Sequence, residues 1–100
     1  MAVTFLIPGY LRAFTGDRNR VTVTSSPATV AEALAALWAV HPGIRDRVVT
    51  EQGDVRPHVN VFVGSESIRF TGGLSTPVPD GAEISIVPAV SGGLEARPRR

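Results

Sequence analysis

The 100-residue chain contains no cysteine and no lysine. Without cysteine there is no disulfide, no thiolate nucleophile and no thiolate metal site, although the compartment is left open. Without lysine, all ten basic residues are arginine. The chain therefore offers no ε-amino group on which copies of itself could be joined, whether or not a codon bias toward arginine produced that composition. Histidine is scarce as well. His41 stands at the end of a helical pattern and His58 beside Pro57, and no ligand cluster at metal-binding spacing surrounds either. No stretch approaches the ~20 apolar residues that a membrane helix requires. The start has no basic leader, only a short apolar run that stops at Pro8-Gly9. With a net charge of +1 there is no general pull toward nucleic acid or membrane. Arg97, Arg99 and Arg100 alone would give only weak, salt-sensitive binding to a polyanion. We expect a cytoplasmic protein with neither nucleic acid nor membrane as partner.

What is present describes a small globular domain. The hydrophobic fraction of 43% and charged fraction of 19% are those of a chain that can bury a core. Val3 to Ile7 reads as a buried strand ended by Pro8-Gly9. Tyr10 to Arg20, with Gly16, Asp17 and Asn19, reads as a loop turning back. Val21 to Thr24 alternates apolar and polar with β-branched residues, so it should pair with the first strand as an antiparallel hairpin. Thr29 followed by Glu32 is a capping-box signature. Behind it Val30, Ala33, Leu34, Leu37 and Trp38 fall on one helical face, and His41-Pro42-Gly43 stops the helix. Ile44 to Pro57 reads as one short helical turn, around Ile44 to Val49, and a loop. Val59 to Val63 is the strongest strand pattern. Ile68 and Phe70 suggest a brief strand broken by Gly72-Gly73. Pro79-Asp80-Gly81 is a turn, Ile84 to Val87 the last strand, and Pro88 its stop. Ala89 to Arg100 has no periodicity and is expected to be mobile. The order predicts an α+β domain, with one main helix packed across a mixed sheet of four to five strands. Several small folds share that order.

The second half narrows the choice. Val59-Asn60-Val61-Phe62-Val63 is followed by Arg69-Phe70-Thr71-Gly72-Gly73-Leu74 and by Asp80-Gly81. Then comes Ile84-Ser85-Ile86-Val87-Pro88-Ala89-Val90-Ser91-Gly92-Gly93. Together these resemble the MoaD/ThiS family of ubiquitin-like sulfur carriers, and within it the CysO-type carriers of cysteine biosynthesis. Ile7-Pro8, Leu11-Arg12 and Thr15-Gly16 fit the same pattern. The resemblance covers residues 1–93, and it implies a β-grasp domain over 1–93 followed by a basic tail, 94–100. A Gly-Gly pair is weak by itself, since about one arises by chance at this glycine content. The informative feature is a terminal apolar strand, a proline stop, a short link and then Gly92-Gly93.

The resemblance implies a carrier that performs no catalysis and binds no cofactor. A ThiF/MoeB-type adenylating enzyme uses ATP to activate the carboxylate of Gly93, which then becomes a thiocarboxylate. A cysteine synthase-like enzyme accepts the sulfur; molybdopterin, thiazole or secondary-metabolite synthesis would use the same chemistry. Ser91 and Gly92 would thread into the partner, because glycine has no Cβ and lets the backbone approach ATP closely. Arg69, Phe70 and Pro88 are candidate partner contacts, a solvated surface charge being the other reading of Arg69. The chain continues past Gly93 with Leu94-Glu95-Ala96-Arg97-Pro98-Arg99-Arg100. A peptide carbonyl between Gly93 and Leu94 cannot be adenylated, so the resemblance implies a precursor, which a JAMM-type zinc metalloprotease would cut after Gly93. A misassigned stop codon or a vector-derived tail would also produce such an extension. Two other classes stay open: a β-grasp interaction module without sulfur transfer, and a nucleic-acid binder that depends on its basic tail.

Other chemistries lack support. No serine has a visible His–Asp arrangement. Asp46, Glu51 and Asp54 in a loop do not make a glycosidase pair. Gly72-Gly73 is followed by neither a lysine nor a helix start, so it is not a phosphate loop.

Overall fold

The computed structural model describes residues 2–24 and 26–88. The strands are β1 (Val3–Leu6), β2 (Arg20–Val23), β3 (Val59–Val63), β4 (Glu66–Ser67) and β5 (Glu83–Pro88), and the helices are α1 (Val30–Val40) and α2 (Arg45–Val48). The strands form one sheet in the order β2-β1-β5-β3-β4. β1 and β5 are parallel, and the other pairs are antiparallel. β5 is therefore the central strand, bonded on both sides, and it is also the one that leads toward residue 93.

Alternation decides which face is covered. Val3, Phe5, Val59, Val61, Ile84 and Ile86 point to one side and are buried. Val30, Ala33, Leu34 and Leu37 of α1 close over them. Trp38 packs at the margin, half-buried rather than fully inside. The capping box forms: Thr29 Oγ1 accepts from Glu32 N at 3.3 Å. The Glu32 carboxylate accepts from Ala28 N at 2.9 Å, one residue before the usual partner. Val30 N donates to Thr76 O and Val78 N to Ala28 O, which ties the helix start to the segment ahead of β5. The expected hairpin, helix and terminal turn are all present. In that turn Ala82 N donates to Pro79 O at 3.1 Å, and Gly81 holds the positive φ, +77°, that its third position demands.

Three expectations need correction. The segment after Pro8 is not simply a loop, because Gly9–Phe14 forms a 3-10 helix with Leu11 buried. Ile68 and Phe70 do not make a strand. β4 is Glu66–Ser67, and Ile68–Phe70 is a 3-10 turn capped by Ser67, whose hydroxyl accepts from Arg69 N. The turn buries Ile68 and leaves Phe70 88% exposed, whereas a strand would have put both on one face. Pro88 does not follow the last strand but is its final residue, paired with Val59. Gly64 N donates to Glu83 O at 2.9 Å, which sets the ladder's alternation. Phe62–Ser85 and Asn60–Val87 are then hydrogen-bonded pairs, and Val59–Pro88 is not. A residue without an N–H costs nothing there, and Val59 N donates to Arg56 O instead.

Candidate functional site

β1 and β5 run parallel and β3 antiparallel to them, so one end of the sheet gathers Pro88, His58 and the 3-10 helix that follows β1. The chain leaves the sheet at that end toward residue 93. Ser91, Gly92, Gly93 and Leu94 lie outside the described residues, as does the whole stretch expected to be mobile.

On the open face of the sheet, around this exit, stand Val87, 37% exposed, its register partner Asn60, and Phe62. Phe70 rises beside them from its turn. Asn60, Phe62 and Phe70, with Pro57, Arg69 and their neighbours, line an open groove of about 790 Å³, and Val87 lies outside its lining. The groove's floor is apolar, and its largest exposed side chain is an aromatic ring with few neighbours, the kind of surface that a partner covers. Arg69 is fixed. Its Nε donates to Asn60 Oδ1 at 2.9 Å, and one Nη donates to Pro57 O at 3.1 Å and Val59 O at 3.3 Å. It braces the turn against the start of β3, and therefore holds Phe70 in place beside the strand opposite Pro88. Of the three candidate contacts, Arg69 and Phe70 line this groove, while Pro88 stands outside it as the register partner of Val59, whose carbonyl accepts from Arg69.

The other side of the exit holds a cluster that the sequence did not single out. Tyr10, Phe14, Arg47, Arg56 and His58 line a depression of about 500 Å³. The Arg47 guanidinium lies 4.9 Å from the centre of the Phe14 ring. Arg56 Nε donates to Asp46 O at 2.7 Å. Burial raises the Tyr10 phenol above its ordinary value, so it stays protonated and neutral near pH 7. These residues are scattered over some fifty positions with no shared motif, and only the return of β3 alongside β5 brings them together. Among the described residues no three of His, Asp and Glu come close enough to hold a metal ion, and no helix is long and apolar enough to cross a membrane.

The sequence and the fold have known counterparts. The ThiS family matches residues 5–93. The sulfur carrier protein CysO of Mycobacterium tuberculosis (strain ATCC 25618 / H37Rv) is 38% identical over 95 residues, which is 93% of this chain and 100% of that protein. Small archaeal modifier protein 3 of Haloferax volcanii is 33% identical over 82 residues, covering 82% of this chain and 88% of its own. Among solved structures, the Amycolatopsis orientalis BexX/CysO complex contains a chain that superposes with a TM-score of 0.79 at 41% identity. That match covers 91% of this chain and 99% of its own.

Proposed function

The chain belongs to the ThiS family and has the ubiquitin-like β-grasp fold, and from that premise we propose that it is a cytoplasmic sulfur carrier whose reactive end is Gly93. The observation that carries this reading is the placement of the exit. The strand ahead of Gly92-Gly93 is the central one, held by β1 and β3 through their registers. The reactive end is thus paid out from the most firmly anchored point of the sheet. Residues 89–93, five in all, follow Pro88 and reach at most about 16–18 Å when extended. That is enough to enter a partner's active site while the domain stays outside, docked through Phe70, Val87 and Pro88.

The chemistry balances as follows. The Gly93 carboxylate attacks the α-phosphorus of ATP and expels pyrophosphate. Hydrosulfide then attacks the acyl carbon and displaces AMP, leaving a thiocarboxylate; its sulfur displaces a leaving group from an electrophilic acceptor, and water cleaves the resulting thioester, releasing the sulfur on the acceptor and restoring the Gly93 carboxylate. No step needs a side chain of this protein, and an adenylating partner of the ThiF/MoeB type supplies the ATP site. The likeness to CysO supports cysteine biosynthesis as the destination, with a cysteine synthase-like enzyme as acceptor. Because Gly93 is followed by Leu94, the precursor is cut first, by a zinc-dependent protease of the JAMM type in this reading. The likeness to a small archaeal modifier protein supports a second reading, in which the activated Gly93 is joined to an amine of a target protein.

The test is pyrophosphate exchange with a family adenylating enzyme. A chain ending at Gly93 should exchange and the chain of 100 residues should not; equal exchange by both would remove the precursor idea. Supplying sulfide should then replace one oxygen of the terminal carboxylate by sulfur, read by intact mass. Exchange without that replacement, but with transfer to protein amines, would favour the modifier reading. No exchange by the truncated chain, with an enzyme active on its own carrier, would end both.

A further inference from the structure

The described arginines are segregated. Arg12 and Arg18 flank the bend after β1, Arg20 opens β2, Arg45 and Arg47 lie in α2, and Arg56 precedes β3. Arg69 reaches the same end through Pro57 O and Val59 O. Six of the seven therefore belong to the end of the sheet where the chain leaves β5, while Arg20 turns its guanidinium back to Glu83 at the start of β5. Two are neutralised: Arg20 by Glu83 at 3.1 Å and Arg45 by Asp46 at 3.2 Å. The other five have no carboxylate at ion-pair distance among the described residues. Three of them are pinned by carbonyl oxygens, since Arg12 Nε also donates to Ile7 O at 3.2 Å. A carbonyl fixes a guanidinium without cancelling its charge. The carboxylates left at or beside this end are Asp17, Glu51 and Asp54. Among the described residues the opposite end, where Ala2 meets Gly81 and Ala28 meets Val78, carries Glu32, Glu66 and Asp80 and no arginine.

We propose that this end is a cationic docking collar, fitted to a partner protein whose tail-accepting opening is rimmed by aspartate and glutamate. The inference rests on the sulfur-carrier reading, with the adenylating enzyme as that partner. A domain positive at the exit end and negative at the other is turned by an acidic opening so that its tail arrives first. A nucleic acid fits less well. Residues 2–88 hold seven arginines against eight carboxylates, so it is the asymmetry of charge and not its sum that orients the domain, and a collar interrupted by carboxylates beside the apolar Phe70 and Val87 suits a protein rim better than a continuous phosphate backbone.

The experiment is stopped-flow association of the chain ending at Gly93 with the adenylating enzyme, with pyrophosphate exchange on the same samples. Arg18→Glu/Arg47→Glu should slow association about tenfold at low salt, and should flatten a native salt dependence of similar size between about 50 and 300 mM NaCl. Arg18→Gln/Arg47→Gln should give an intermediate loss, and Asp80→Arg at the far end a change under about twofold. Thermal unfolding of each variant separates folding from docking, and the Gln pair carries the test should the Glu pair unfold. Association rates equal to native at every salt would overturn the collar while exchange left the carrier reading standing. A native chain that is not exchanged at all would overturn both. Displacement of the enzyme by a single-stranded oligonucleotide at 150 mM salt, on the order of physiological ionic strength, would overturn the acidic protein as occupant.

Discussion

The two faces of the sheet are made from the same strands and obey different constraints. On the covered face Phe5, Val59, Val61, Ile84 and Ile86 are all but sealed by α1, and every atom there answers to packing. On the open face Thr4, Leu6, Asn60, Phe62, Ser85 and Val87 alternate with them, one residue out of phase. There an apolar side chain gains little from the fold and stays accessible to solvent. The difference teaches that neighbours in sequence can have unrelated jobs, and that an apolar residue is informative about binding only once its face is known.

The sharpest way to break that comparison is to truncate adjacent residues. Phe5→Ala should cost about 3–5 kcal/mol, a large part of a small domain's stability, while Leu6→Ala costs about 1 kcal/mol or less. Urea unfolding reads both, and equal losses would mean the faces are not distinct. Leu37→Ala, in the layer that closes the covered face, should cost roughly 2–5 kcal/mol in the same assay. A loss far below that range would place the helix elsewhere than over the sheet. Thr29→Ala removes the hydroxyl that accepts from Glu32 N and should cost about 0.5–2 kcal/mol. Amide exchange should quicken in the first turn of α1 and not in β5; uniform quickening would assign Thr29 to the core rather than to the cap. Phe70→Ser should leave stability within about 0.5 kcal/mol yet weaken the adenylating enzyme's binding at least about tenfold. A loss of stability with unchanged binding would make Phe70 part of the fold rather than of the docking surface.

Much of the covered face was legible. The helix from Thr29 onward followed from a cap and a period of 3.6, and β3 and β5 from β-branched alternation, because these are local signals. Misreadings came where a tertiary choice overrode the local pattern. Ile68 and Phe70 alternate as strand residues do. Yet Ser67 caps a turn there and Arg69 bonds back to Pro57, Val59 and Asn60, and those contacts turn Phe70 outward. The position of Pro88 inside β5 depends on the register with β3, which no local pattern reports. The cluster of Tyr10, Phe14, Arg47, Arg56 and His58 was invisible for the same reason.

By itself the sequence determined the chemistry available to this protein: no thiol, no lysine, a Gly92-Gly93 pair after a terminal apolar strand, and a peptide bond that joins Gly93 to Leu94. Those are properties of covalent structure and of short-range pattern, and folding cannot change them. Only the tertiary structure decided that β5 lies at the centre of the sheet, that Arg69 and Phe70 stand beside the start of β3, and that described arginines from four separate segments gather at one end of the sheet. Pairing between distant strands is selected by the burial of a shared core, and charge and apolar patches are then carried wherever that burial puts them.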